Sequence, residues 1–266
     1  MKIKELKSIG VEKLSEIENK FYEVNLFLCD ILNLNIKDIL LDQDKEVSIV
    51  DENRFLEAIS RRAKGEPYAY IMNYKEFYAN RFYVDNRVLI PRPESEFIVE
   101  YAVNNYKNKN IKYLDMCTGS GAIGISIAKA LNIKADLSDI SSDALEVARE
   151  NANYNDVKVN IIKSDLFCNI EDKYDLITIN PPYIPSTRKN SLQIEIDYEP
   201  EIALFAGEDG LDIIKKIINN YESYLLPSGK IIMEIEESQS EVIKKTVNCE
   251  IIKDLNDLDR FVIINK

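Results

Sequence analysis

Residues 112–131 narrow the folds open to this chain more than any other stretch. Tyr113-Leu114-Asp115-Met116 runs into Cys117-Thr118-Gly119-Ser120-Gly121-Ala122-Ile123-Gly124 and then an apolar stretch over 125–131. The pattern reads as strand, glycine turn and helix. Gly119 and Gly121 let the backbone take positive φ and approach a ligand, while Gly124 lets the new helix pack against the strand. Further strands over 134–137, 157–162, 175–179 and 230–235 alternate with helices over 142–153 and 211–224. Such alternation predicts an α/β domain with a doubly wound parallel sheet and helices on both faces. The stretches 250–253 and 260–264 flank a short loop and read as a closing antiparallel hairpin.

In such a sheet, ligands lie outside the carboxyl ends of the strands, so the residues there carry the chemistry. Four acidic or amide sites occur in that position. Asp115 precedes the glycine turn, where its charge can face the amino group of a methionine moiety. Asp139 ends the next strand, about where a carboxylate meets both hydroxyls of a ribose. Asp165, followed by Leu166, is placed to accept from an adenine amino group. Asn180-Pro181-Pro182-Tyr183 ends the fourth strand. Taken singly, Asp115 and Asp165 also read as helix caps and Asp139 as a turn former; the ordered set favours a nucleoside-bearing methyl donor. The glycine spacing also matches the dinucleotide fingerprint, but Asp115 would sit badly beside a pyrophosphate. Cys117, Thr118, Gly119, Ser120 and Gly121 complete the expected cofactor turn.

The 180–183 tetrapeptide indicates the acceptor. The prolines fix φ and push Asn180 out of the helical region, which stiffens the turn. The Asn180 side chain and the Pro181 carbonyl each offer an acceptor to one hydrogen of a planar NH2 group. Tyr183 supplies a ring on which a flat group stacks. The expected target is therefore an amide or amine nitrogen.

Here the chain resembles the HemK/PrmC family, the glutamine methyltransferases that modify class I peptide chain release factors. The resemblance is carried by Arg61-Arg62 with Gly65-Glu66-Pro67, Tyr70-Ile71, Lys75-Glu76-Phe77-Tyr78 and Val88-Leu89-Ile90-Pro91-Arg92-Pro93-Glu94-Ser95-Glu96. The glycine turn, Asn180-Pro181-Pro182-Tyr183, and Tyr198-Glu199-Pro200 with Ala203-Leu204 complete it. It implies a class I methyltransferase (Rossmann-like) fold behind a small helical domain, with S-adenosyl-L-methionine as cofactor and a release-factor glutamine as substrate. Asn180 would bind both ligands, with Pro181, Pro182 and Tyr183 on the substrate side and Asn180, Pro181 and Tyr183 as the catalytic set. Asn73 and Ala79 stand where the family usually has glycine. The Asn-Pro-Pro-Tyr motif is shared with adenine-directed nucleic-acid methyltransferases, so methylation of an adenine amine in DNA or RNA is the alternative.

Composition weighs on that choice. A net charge of -12 argues against a partner held through phosphates, so no direct nucleic-acid contact is expected. The run Arg61-Arg62-Ala63-Lys64 reads as a solvated helix face. With no histidine in the chain, Ser-His-Asp and Cys-His catalysis are excluded. Four cysteines, at 29, 117, 168 and 249, have no paired spacing for zinc, and no metal is expected. Neither a signal peptide nor a membrane-spanning run is legible, so no membrane is expected and the reading is cytoplasmic.

The expected organisation is a helical substrate-recognition domain over 1–73, a β-hairpin linker over 74–92 and the methyltransferase domain over 93–266. In the first, Leu14, Ile17, Phe21, Val24, Leu28 and Ile31/Leu32 recur at helical spacing, with later helices opening near Asn35 and Asp51. The hairpin is expected to turn at Ala79-Asn80. The loop 184–203 is long for a compact domain and is expected to serve the site or simply to pack.

Overall fold

The computed structural model describes residues 1–266, apart from the side chain of Asn190. It divides into two compact units, Met1–Asn73 and Tyr74–Lys266.

The first unit is helical, with α1 (Ile3–Lys13), α2 (Lys20–Leu32), α3 (Ile36–Leu41), α4 (Ile49–Arg62) and α5 (Tyr68–Met72). Its core joins Ile3, Leu6, Val24, Phe27, Leu28, Ile31, Phe55 and Ile59. Phe21 departs from the expected stripe and is 61% exposed. Because α2 begins only at Lys20, Phe21 lies in its terminal turn, and Phe27 carries the stripe instead. Asn35 caps α3 by accepting from the Asp38 amide, whereas α4 opens earlier than expected, at Ser48, which accepts from the Asp51 amide. The basic run at 61–64 is also not a uniformly solvated face. Arg62 is buried and forked onto Glu23 of α2 at 2.6 and 3.1 Å. Arg61 pairs with Glu66 in the same bidentate way.

The second unit opens with a hairpin of β1 (Lys75–Phe77) and β2 (Asn80–Phe82), then a 3-10 turn at Pro93–Ser95 and α6 (Glu96–Tyr106). β3 (Tyr113–Met116), α7 (Ala122–Leu131), β4 (Ala135–Asp139), α8 (Ser142–Tyr154), β5 (Val159–Lys163) and β6 (Tyr174–Ile179) follow. α9 (Asp212–Asn220), β7 (Leu225–Glu234), α10 (Ser240–Thr246), β8 (Cys249–Lys253) and β9 (Asp259–Asn265) close the chain. The seven-stranded sheet has the order β5-β4-β3-β6-β7-β9-β8, parallel through β7, with β9 antiparallel to both β7 and β8. No helix among the described residues is long and apolar enough to cross a membrane.

Strand side chains alternate between faces, and the two cores follow that alternation. Tyr113, Leu176, Ile232, Phe261 and Ile263 join one cluster with residues of α6, α7 and α8. Leu114, Met116, Ile177, Ile231, Met233 and Val262 join the other with Ile214 of α9 and Ile243 of α10. On the first face Gly124 lies so close to β3 and β4 that an added Cβ would be 2.3 Å from Leu137 Cδ2 and 2.8 Å from Asp115 Cβ. The strand order reverses between β3 and β6, and a crevice opens at their carboxyl ends.

The hairpin does not stand apart from this domain as a linker: Phe77 and Phe82 are buried in its first cluster. It turns at Tyr78-Ala79, one residue before the expected place, since Phe77 pairs with Asn80. Tyr78 and Ala79 have φ of +47° and +54°, and Asn73 after α5 has +57°. Two consecutive left-handed residues match the twist of a two-residue hairpin, which is why glycine suits the position. Ala79→Gly is therefore expected to stabilise the fold by about 1 kcal/mol, and to raise the melting temperature by about 2–4 °C in calorimetry. A lower melting temperature would contradict this account of the turn.

Candidate active site

The register of β3 against β6 sets Asp115 opposite Thr178 and Met116 opposite Ile179, so the glycine turn and the Asn180 turn emerge side by side. Both border one cavity, whose walls include Cys117, Thr118, Gly119, Ser120, Asp139, Asp165, Leu166, Asn180 and Pro182. Gly121, Asp115, Pro181 and Tyr183 are not among its walls.

Asp115 lies behind the turn rather than facing the cavity, at 1% exposure. Its Oδ2 accepts from Thr118 Oγ1 at 2.5 Å and from the Gly124 amide at 3.1 Å; its Oδ1 accepts from Thr178 Oγ1 at 2.7 Å. The Thr178 proton is thereby committed, so the Tyr113 hydroxyl is the donor in the 2.7 Å contact between them. Burial raises the Asp115 carboxyl to about 6 against these donors. Its charge is met inside the protein, whereas the sequence pattern placed it facing the amino group of a ligand.

Asp139 does reach the cavity. It accepts from the Gly119 amide at 2.9 Å and the Ser141 amide at 2.9 Å, and each oxygen keeps acceptor capacity. Burial pushes its carboxyl up, while these amides pull it down. Gly119 and Gly121 take φ of +53° and +81°. A Cβ on Gly119 would meet nothing within 4 Å, so any side chain there would project into open space beside Asp139. Cys117 also adopts positive φ, +56°, and burial raises its thiol well above the ordinary range, which leaves it a wall and not a nucleophile. Asp165 is exposed at the cavity rim, next to a tight turn in which Ser164 Oγ donates to the Leu166 carbonyl at 2.7 Å.

Elsewhere on the cavity wall, Asn180 Nδ2 donates to Ser95 Oγ at 3.2 Å. Ser95 donates to Glu234 Oε2 at 2.5 Å, and Tyr183 Oη donates to Glu234 Oε1 at 3.1 Å. The Tyr183 ring packs against the second core cluster, so it does not offer the cavity the stacking face expected of it. Residues that motif reading missed are thus Ser95, Glu234 and Thr178. Glu234 had a signal: a lone acid between Met233 and Ile235 in an apolar strand is costly unless partnered. Asn151 of α8, also missed, binds the Tyr83 amide and carbonyl and the Ser120 carbonyl, tying the hairpin exit to the glycine turn.

The 184–203 segment folds into short 3-10 turns at Ser186–Ser191, Ile194–Tyr198 and Glu201–Ala203, and Pro200, Ile202 and Ala203 complete the cavity wall. Arg92 Nη2 contacts both Glu199 oxygens at 2.9 Å and pins the segment to the 88–95 strap. Burial nonetheless lifts the Glu199 carboxyl from 4.5 to about 7, outweighing the guanidinium beside it. A carboxyl raised on folding binds its proton more tightly in the fold, so its contribution favours the fold at low pH and is lost as pH rises from about 4.5 to about 7. Glu199→Gln, which cannot titrate, is expected to flatten the dependence of urea-unfolding stability on pH across that window. An unchanged slope would show that Glu199 is not the titrating group.

A family model described as methyltransferase small domain matches residues 94–196, and one described as PrmC N-terminal domain matches residues 5–72. The release factor glutamine methyltransferase of Leptospira interrogans is 39% identical over 270 residues, covering 96% of this chain and 94% of the relative. That of Streptococcus pneumoniae is 37% identical over 246 residues, covering 91% and 88%. Among solved structures, a methyltransferase from Pyrococcus furiosus superposes with a TM-score of 0.52 at 18% identity, over 81% of this chain and 97% of its own.

Proposed function

The chain belongs to the release factor glutamine methyltransferase family, and on that premise we propose that it transfers a methyl group from S-adenosylmethionine to the side-chain amide nitrogen (N5) of a glutamine in class I peptide chain release factors. The observation that carries the reading is the meeting of the glycine turn and Asn180 on one cavity. S-adenosylmethionine, when bound, supplies an electrophilic methyl on a sulfonium. The residues present suit it: Asp139 would hold the ribose hydroxyls, Asp165 and Leu166 the adenine, and the 117–121 turn would cradle the remainder in the space a Cβ on Gly119 would otherwise fill. Asp115 would act indirectly, by holding that turn in shape.

An amide nitrogen is a poor nucleophile because its lone pair is delocalised into the carbonyl. The protein's contribution is therefore orientation. Asn180 Oδ1 would accept one amide hydrogen and the Pro181 carbonyl the other, which raises electron density on nitrogen and aims it. Positioning of this kind supplies roughly 7–11 kcal/mol at best. Pro182 lines the same cavity. The helical unit would recognise the protein substrate. Methylation of an adenine amine uses a similar clamp, but the acidic chain and the two glutamine-methyltransferase relatives favour the release factor.

The decisive experiment supplies labelled methyl donor with purified release factor or with nucleic acid, and label entering nucleic acid alone would overturn the glutamine reading. Asn180→Ala is expected to leave calorimetric binding of S-adenosylmethionine nearly unchanged while turnover falls by about 10²-fold or more. Full turnover in that variant would remove Asn180 from the clamp.

A further inference from the structure

The Asn180 amide is not free to choose which end faces the cavity. Its Nδ2 donates to Ser95 Oγ, and the single Ser95 proton is given to Glu234 at 2.5 Å. Ser95 and Glu234 are each 2% exposed, so water does not compete for these bonds. With its proton committed, Ser95 offers Asn180 only lone pairs. A flipped amide would set oxygen against oxygen, which a buried site penalises. Glu234 also accepts from Tyr183, so one carboxylate anchors both the first and the last residue of the 180–183 turn. Each Glu234 oxygen has a hydroxyl of its own to accept from, an arrangement that suits the ionised carboxylate. Burial works against that charge, whereas both hydroxyls and the nearby Arg260 favour it and Glu94 opposes it.

We propose that Ser95 and Glu234 are positioning residues that set the polarity of the Asn180 amide, holding its Oδ1 toward the cavity and making the site selective for a planar NH2 donor. This deepens the function proposed above and rests on it. Of these three residues only Asn180 would bond the substrate amide; Glu234 acts through Ser95, and Ser95, a wall of the cavity but 2% exposed, acts through Asn180. The chain of bonds crosses three distant parts of the sequence, from the start of α6 to the ends of β6 and β7.

The test is a mutant cycle on the full chain with purified release factor. Ser95→Ala and the isosteric Glu234→Gln are each expected to lower kcat roughly tenfold or more, with KM for the release factor and calorimetric affinity for S-adenosylmethionine held within about twofold. Ser95→Thr, which keeps the hydroxyl, restores kcat. In an Asn180→Ala background the Ser95→Ala loss disappears, because the group it orients is gone. A loss that persists there in full, or unchanged kcat in both single variants, overturns the proposal. Nitrogen-15 spectra give a readout independent of turnover: the Asn180 side-chain NH2 hydrogens are slow to exchange in the wild type and fast in Ser95→Ala, and equal exchange in the two would also overturn it. If wild-type protein labels only nucleic acid, the glutamine reading fails, and the same cycle tests the relay on the adenine amine.

Discussion

The buried Asp115 carboxylate is the interaction on which the site depends. It binds the Thr118 hydroxyl, the Gly124 amide and the Thr178 hydroxyl, and so joins the end of β3, the glycine turn, the start of α7 and the neighbouring strand β6. The Gly124 amide lies in the first turn of α7, where the helix leaves donors unsatisfied and its dipole favours negative charge. Burial opposes that charge, and the three donors offset much of the cost. Removing the carboxylate would orphan several buried groups together.

A second buried acid repeats the arrangement two strands away. Glu234 ends β7 as Asp115 nears the end of β3, and both project on the face that carries α6 and α7. Each is met by hydroxyls rather than by a cation at bonding distance: Thr118 and Thr178 for one, Ser95 and Tyr183 for the other. Between them lies Asn180. The parallel register delivers the glycine turn and Asn180 to one crevice, and the two acids hold the loops there in fixed shape. Rigid strands supply the placement, and the irregular backbone beyond them supplies the donors and acceptors.

The 184–203 segment shows how an irregular connection becomes part of a wall. Short 3-10 turns satisfy some of its backbone groups internally, and the Arg92–Glu199 fork fixes it from one side. Gln239 binds the Tyr183 and Gly210 carbonyls and steadies the chain on either side of the segment.

Much of this was legible in the sequence because it is local. Alternating strand and helix periods marked the sheet and its closing hairpin, the spacing of Gly119, Gly121 and Gly124 marked a strand-to-helix turn, and two prolines marked the stiff exit at Asn180. Side-chain direction was not legible. Asp115 and Tyr183 sit where the pattern put them, yet one faces the interior of the turn and the other Glu234, because orientation follows from partners remote in the chain. Phe21 is exposed for a related reason: periodicity assigns a face, but helix ends decide how far that face stays covered. The order of elements and the placing of acidic and amide residues at strand ends could be read along the chain, since both rest on backbone preference and repeat spacing. Which acids meet the cavity and which brace its walls emerged in the folded chain alone, because burial and hydrogen bonding are set by segments as far apart as Ser95 and Glu234.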